Sequence, residues 1–160
     1  MIKNIFIFFS FCSQACYSQY NYHLIKLHPQ AIIEIGEHGN VVGLGISYES
    51  KVSYYLTGEF SIAINQILGL DLTSINGKLL YYFSKKRFVG PYAGVQLGFL
   101  TSYHYPFSGF DFGFHHFLNE RWMAKGHVGL GSFLGWRNDH RNNYLSCDLA
   151  AAYMFKSRQA

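Results

Sequence analysis

Between Gly109 and Leu118 the chain alternates. Phe110, Phe112, Phe114, His116 and Leu118 take the even positions, and Gly109, Asp111, Gly113, His115 and Phe117 the odd ones. A repeat of two is the mark of a β-strand with unlike faces. After Asn119 and Glu120 the alternation resumes: Trp122, Ala124, Val128, Leu130, Leu134 and Trp136 stand against Arg121, Lys125, His127, Gly129 and Gly131. Two apolar faces joined antiparallel share a side only when the connection has an odd number of residues. The pattern therefore predicts a hairpin turning at Leu118 to Glu120.

The same alternation predicts strands over Ala31–Glu37, Val41–Glu49, Val52–Ile64, Asp71–Ser84, Phe88–Tyr103 and Tyr144–Phe155, which with the hairpin makes eight. Tight turns fall at His38 to Asn40, Ser50 to Lys51 and Lys85 to Arg87, and loops at Asn65 to Leu70, His104 to Phe107 and Arg137 to Asn143. Most of these strands have the roughly 9–11 residues that a tilted strand needs to cross a bilayer. One face carries bulky side chains such as Leu44, Phe60, Leu79 and Leu97; the other carries Gly, Ser, Glu and Lys. The second face has too little volume to fill a dry core. The apolar face is thus expected to turn outward to lipid, and because open strand edges are costly there, strand one must pair with strand eight.

Only 14% of the 160 residues are charged while 19% are aromatic, yet no apolar run reaches the ~18 residues of a membrane helix. Any crossing must be made by strands. The net charge of +4 is small and Lys85, Lys86 and Arg87 form the one basic cluster, so no nucleic-acid partner is expected. Lys3, the apolar run Ile5 to Cys12 and Ser13-Gln14-Ala15 read as a signal peptide over residues 1–18, cleaved after Ala15 or Ser18. Cys16 after Ala15 raises lipidation, although Ser13 stands where a lipobox carries a Leu-like side chain. A polar lead-in over 19–30, closed by Pro29, then precedes a barrel over 31–155 and a short polar tail, 156–160. Cys147 remains in the barrel on the lipid-facing side, without a disulfide partner.

The inward face collects Glu34, Glu59, Lys78, Gln96, Asp111, Lys125, His127 and Asp148. Charges removed from water need partners, and neighbouring strands offer them: Glu59 opposite Lys78, and Lys125 between Asp111 and Asp148. Such side chains fill an eight-stranded interior, so no pore is expected. Aromatics at strand ends suggest two interfacial girdles. Trp122, Phe117, Tyr48, Tyr54, Phe83, Phe88, Tyr153 and Phe155 gather at one set of turns, and Trp136, Tyr144, Tyr103, Tyr105 and Phe107 at the other.

The signal segment, Gly43 to Ser50 (GLGISYES), Gly90 to Phe99 (GPYAGVQLGF), Phe117 to Trp122 (FLNERW) and Leu149 to Phe155 (LAAAYMF) together resemble the small eight-stranded outer-membrane barrels of Gram-negative bacteria, of the OmpX and OmpA transmembrane-domain type. The resemblance implies an all-β, up-and-down transmembrane barrel. It also implies periplasmic termini and turns at Ser50, Lys85 and Asn119, with outward loops at His38, Asn65, His104 and Arg137. The implied partners are outer-membrane lipid, the barrel-assembly machinery and a surface or host ligand at the loops; the barrel is expected to be a monomer.

Some barrels of this size are lipid A deacylases or palmitoyl transferases that use a His, a Ser and a carboxylate at the lipid-facing rim. His116 and Ser132 do face outward here, but no outward carboxylate accompanies them and the run His115 to Phe117 lacks the Ser-Asn continuation. His115 and His127 near Asp111 form a metal set without a third ligand, so a lumen network is the better reading. No catalytic residue, metal or cofactor is assigned. The expected protein is a non-enzymatic, closed barrel with an envelope or surface-interaction role. The alternatives are a lipid A-modifying enzyme on the same barrel and a secreted, lipocalin-like barrel with its apolar face inside.

Overall fold

Alternation of the kind just described has one closed solution, and the chain adopts it. A computed structural model describes residues 22–35, 40–67, 70–84, 88–101, 105–133 and 143–156. It contains strands β1 (Tyr22–Ile35), β2 (Asn40–Lys51), β3 (Leu56–Ile67), β4 (Leu70–Tyr82), β5 (Gly90–Leu100), β6 (Tyr105–Phe117), β7 (Trp122–Phe133) and β8 (Asn143–Lys156). Each pairs antiparallel with its sequence neighbours, and β1 pairs with β8 to close the barrel.

The register sets the shape. From Leu24, successive partners round the wall are Glu49, Glu59, Lys78, Gln96, Gly109, Gly131 and Tyr144, and the path returns to β1 at Glu34, ten positions further on (34 minus 24). Such a stagger tilts the strands by roughly 35–45°. At that tilt, strands of 11 to 14 residues span about 25–35 Å along the axis at ~3.3 Å per residue, the thickness of a bilayer core.

Several strand ends differ from the sequence reading. The largest difference is β1, which begins at Tyr22, so residues 22–30 are strand and not a lead-in. Leu24, Lys26 and His28 point inward and Ile25, Leu27 and Pro29 outward; a lysine and a histidine on the inner face and a proline on the outer one hid the alternation. The β2–β3 turn comprises residues 52–55, later than Ser50 to Lys51, because Val52 and Ser53 N–H both donate to the Leu56 carbonyl (2.9 and 3.0 Å). β6 likewise starts at Tyr105, where a loop was expected.

The β6–β7 connection takes residues 118–121, one more than expected. Leu118 and Asn119 N–H donate to the Trp122 carbonyl, while the Asn119 side chain accepts from the Arg121 and Trp122 amides. The last cross-strand pair is Phe117–Met123, so five residues, an odd number, separate the paired positions and the parity argument holds: Phe110 lies opposite Leu130 and Phe112 opposite Val128. Between β4 and β5, Phe88 has φ of 49° and Gly90 φ of 98°. Glycine adopts this region freely, whereas for a phenylalanine it costs about 1–2 kcal/mol. Full burial of the Phe88 ring in the end of the barrel offsets that cost.

Inside, glycine makes room for rings. A Cβ on Gly113 would collide with the Tyr92 ring and the Gly126 carbonyl, while one on Gly126 would meet only Leu149 Cδ2 at 3.4 Å. Gly113→Val is therefore expected to destabilise the barrel by about 1–3 kcal/mol. Gly126→Ala is expected to leave the urea midpoint nearly unchanged, and equal midpoints for the two variants would mean that the interior is loosely packed.

Candidate functional site: an ion-paired lumen inside an apolar wall

Inward-pointing positions on all eight strands meet on the axis, and among the described residues they bring four lysines and four carboxylates out of water: Lys26, Lys51, Lys78 and Lys125 with Glu49, Glu59, Asp111 and Asp148. Their charges balance. Near the end that carries the termini, Glu49 and Glu59 are cross-strand partners, two like charges side by side. Lys26 resolves the conflict from β1 by pairing with both, at 2.7 Å from Glu59, and Lys125 reaches across from β7 to Glu59 at 2.7 Å. Thr57 and Tyr82 hydroxyls donate to Glu49 Oε1 at 2.6 and 2.8 Å. The His115 Nδ1 lies 2.8 Å from the Tyr82 hydroxyl and 3.0 Å from the Phe88 carbonyl. Lys125 also stands over the Tyr92 ring, 4.9 Å from its centroid.

A second set occupies the middle of the lumen. Lys78 Nζ lies 2.7 Å from Asp111, and Asp148 takes His127 at 2.6 Å and His28 at 3.2 Å. Beyond it Asn76 donates to Gln96 (3.1 Å) and Gln96 to the Tyr144 hydroxyl (2.8 Å). A cavity of about 30 Å³ bounded by His28, Ser61, Ser74, Asn76 and Ser146 has room for one or two water molecules. Asn76 Oδ1 and Ser146 Oγ, which have no protein partner, line it.

Apolar clusters lie toward both ends. Leu24, Leu80, Tyr82, Phe88, Tyr92, Met123 and Ala152 pack together at the end with the termini, and Leu100, Phe107 and Tyr144 at the other.

The wall is inverted relative to a soluble barrel. Phe112, Leu130 and Leu97 are 53%, 50% and 61% exposed, while Asp111, Lys125 and Glu59 are 0%, 3% and 6% exposed. An exterior of this kind belongs in hydrocarbon, and the lipocalin-like alternative, which needs the apolar face inside, does not describe it.

The anticipated network is thus placed as follows. Glu59, Lys78, Gln96, Asp111, Lys125, His127 and Asp148 all point into the lumen. Glu34 occupies β1 opposite Tyr144. The pairing differs from the expectation: Glu59 bonds Lys26 and Lys125 and not its register partner Lys78, and Lys125 bonds neither Asp111 nor Asp148. In a narrow barrel a long side chain reaches a strand two or more places away as readily as the next one. Lys26, His28, Glu49, Tyr82 and Tyr144 were missed, the first two because their strand was read as a lead-in.

His115 and His127 do not converge. One bonds Tyr82 and Phe88, and the other Asp148. Ser132 lies opposite Ser108 and donates to Asn143 Oδ1, while His116 lies opposite Ala124 at the other end of the hairpin and stacks on Phe114.

Of the girdle aromatics, Trp122 packs edge-on against Tyr153 on the outer rim, and Phe155 stacks on His23 beside Tyr48. Phe88, Phe107 and Tyr144 instead point inward as plugs and Phe117 packs against the first of these plugs, which corrects their assignment to the girdles. Tyr103 and Trp136 lie outside the described residues, as do the signal segment, Cys16 and the tail beyond Lys156. Cys147 is a free, exposed thiol on the outer face.

No family model matches the sequence, and no curated protein does. Among solved structures, the N-terminal β-barrel domain of OprF from Pseudomonas aeruginosa matches with a TM-score of 0.60 at 12% identity, covering 85% of this chain and 98% of that one. AlkL, an outer membrane protein determined in DMPC lipid bilayers, gives 0.58 at 16%, covering 88% and 93%. Neisserial surface protein A gives 0.55 at 14%, covering 85% and 96%. At these identities what is shared is the fold, and that fold is the closed eight-stranded barrel of outer-membrane proteins.

Proposed function

We propose that the protein is a closed, non-conducting barrel of the outer membrane. Its role is structural, or is exercised through the β1–β2, β3–β4, β5–β6 and β7–β8 connections at the end away from the termini. The observation that carries this reading is the lumen: balanced ion pairs along the axis, a cavity only large enough for water, and an apolar plug at each end. An interior held by ion pairs on its axis adds rigidity and leaves no continuous hydrated path for a solute. The β7–β8 connection, the longest, carries Arg137, Asp139, His140 and Arg141, polar groups suited to a surface partner.

Reconstituted into liposomes, the protein is expected to give no sugar-driven swelling above lipid alone, and to sediment with membranes and run with heat-modifiable mobility. A stable single-channel conductance would remove the closed-barrel reading. The enzymatic alternative is tested by mass spectrometry of lipid A from cells with and without the gene. Identical acyl patterns are expected, because His116 and Ser132 are held at opposite ends of their hairpin. A gained or lost acyl chain would move the assignment to the enzyme.

A further inference from the structure

On the outer wall, β6, β7, β8 and β1, with Val42 of β2, border an open, largely apolar recess of about 600 Å³, lined by residues including Pro29, Ala31, Phe112, Cys147 and Leu149, with His127 and Asp148 at its floor. That volume is in the range of sites that take a small organic molecule. The seam that closes the barrel runs through it. The β1–β8 ladder steps from Leu27–Ala151 to Gln30–Asp148, without rungs at His28–Ala150 and Pro29–Leu149. The β1–β2 ladder is continuous through His28–Gly45 and Pro29–Leu44.

Both missing rungs depend on one hydrogen bond, from the amide of residue 29 to the carbonyl of Leu149, and proline has no N–H to give. The Gln30–Asp148 rung needs the reciprocal bond, from the Leu149 N–H to the Pro29 carbonyl, so that bond is made. What remains is a single backbone acceptor, the Leu149 carbonyl, without its strand partner. It lies at a site whose surroundings are hydrocarbon, where an unmet carbonyl is unfavourable.

We propose that this recess binds a single-chain amphiphile, its chain against the apolar lining and its hydroxyl or amide N–H donating to the Leu149 carbonyl. His127 and Asp148 in the lining are paired with each other, so the recess offers a charged ligand no free counter-charge, and the Leu149 carbonyl selects for one donor. The site lies on the lipid-facing wall and does not depend on whether the lumen conducts.

Cys147 reports occupancy, because it lines the recess and is exposed. Its alkylation by a hydrophobic maleimide is followed by peptide mass spectrometry, with the protein in phosphatidylcholine vesicles and with either 1-dodecanol or dodecane added. Dodecanol is expected to protect Cys147 at about five-fold lower concentration than dodecane, the value of one hydrogen bond. Pro29→Ala supplies the missing N–H and is expected to erase that difference. Gly126→Leu is expected to fill the recess and abolish protection by both probes, since its Cβ meets nothing closer than Leu149 Cδ2.

Heat-modifiable mobility establishes that each variant is folded. Equal protection by the two probes in the unmodified protein overturns the role of the carbonyl. A preference that survives in Pro29→Ala overturns its assignment to Leu149. Absence of protection by either probe overturns the site.

Discussion

Glu59→Gln is expected to destabilise the folded barrel by about 3–5 kcal/mol, the usual consequence of breaking a buried ion pair from one side. Glu59 accepts from Lys26 and Lys125 at 2.7 Å each, and both lysines are almost completely removed from solvent. With a neutral amide in its place, Lys26 keeps Glu49 but Lys125 keeps no carboxylate partner among the described ion pairs. Glu59→Gln combined with Lys125→Met removes one charge of each sign and leaves the Lys26–Glu49 pair in place; it is expected to recover most of the loss. Urea unfolding in lipid vesicles, followed by tryptophan fluorescence, measures both. A single variant that loses less than about 1 kcal/mol would show the lumen to be hydrated, with screened charges, and would weaken the closed-barrel reading with it.

That double replacement separates two contributions that the structure superimposes. Among the described residues, apolar burial inside this barrel lies in the end plugs apart from Ala63 and Ala150, so the middle is held largely by backbone ladders and charge pairs. Buried pairs are weak evidence for stability compared with apolar packing of the same volume. Their value lies in specificity: a register slip of one residue would turn Glu59, Lys78 and Asp111 into lipid and Phe60, Leu79 and Phe112 into the lumen. The ion-paired lumen therefore fixes the stagger that the closed wall requires.

How much of this could be read from the sequence depends on what kind of information each feature needs. The wall was legible because a membrane barrel separates its faces sharply. Val42, Leu44 and Ile46 against Gly43, Gly45 and Ser47 leave no choice of parity, and closure follows from the absence of water at the edges. The start of β1 was not legible, because Lys26 and His28, which belong to the lumen, make the segment look polar, and Pro29, which sits on the seam, is a residue that ordinarily ends a strand. Phe88, Phe107 and Tyr144 were misplaced although their parity, shared with Tyr92, Asp111 and Asp148 respectively, already turned them inward. A ring at a strand end can serve either as girdle or as plug, and the face it occupies decides which. Ion-pair partners lay beyond reach for a geometric reason: sequence alternation reports neighbours along the wall, whereas Glu59 bonds across the axis to β1 and β7.

Val95→Arg tests the inversion of the wall directly. Val95 faces outward near the middle of β5, with Leu79 and Phe110 as its cross-strand neighbours and the buried Gln96 next in sequence. In a bilayer an arginine at such a depth costs about 2–4 kcal/mol, falling towards zero at the interfaces. On a water-exposed strand the same change would stay within about ±0.5 kcal/mol. The lipid-facing reading therefore predicts a loss of about 2–4 kcal/mol for Val95→Arg, with Val95→Leu close to neutral. It also predicts a smaller loss for an arginine at Tyr54, on the rim in the β2–β3 turn, where the side chain reaches the headgroups. Unfolding free energies in vesicles, compared between the arginine variants at the two depths with Val95→Leu as control, give the depth profile. A flat profile would place water and not lipid against this face, and the apolar exterior would then have to be covered by protein.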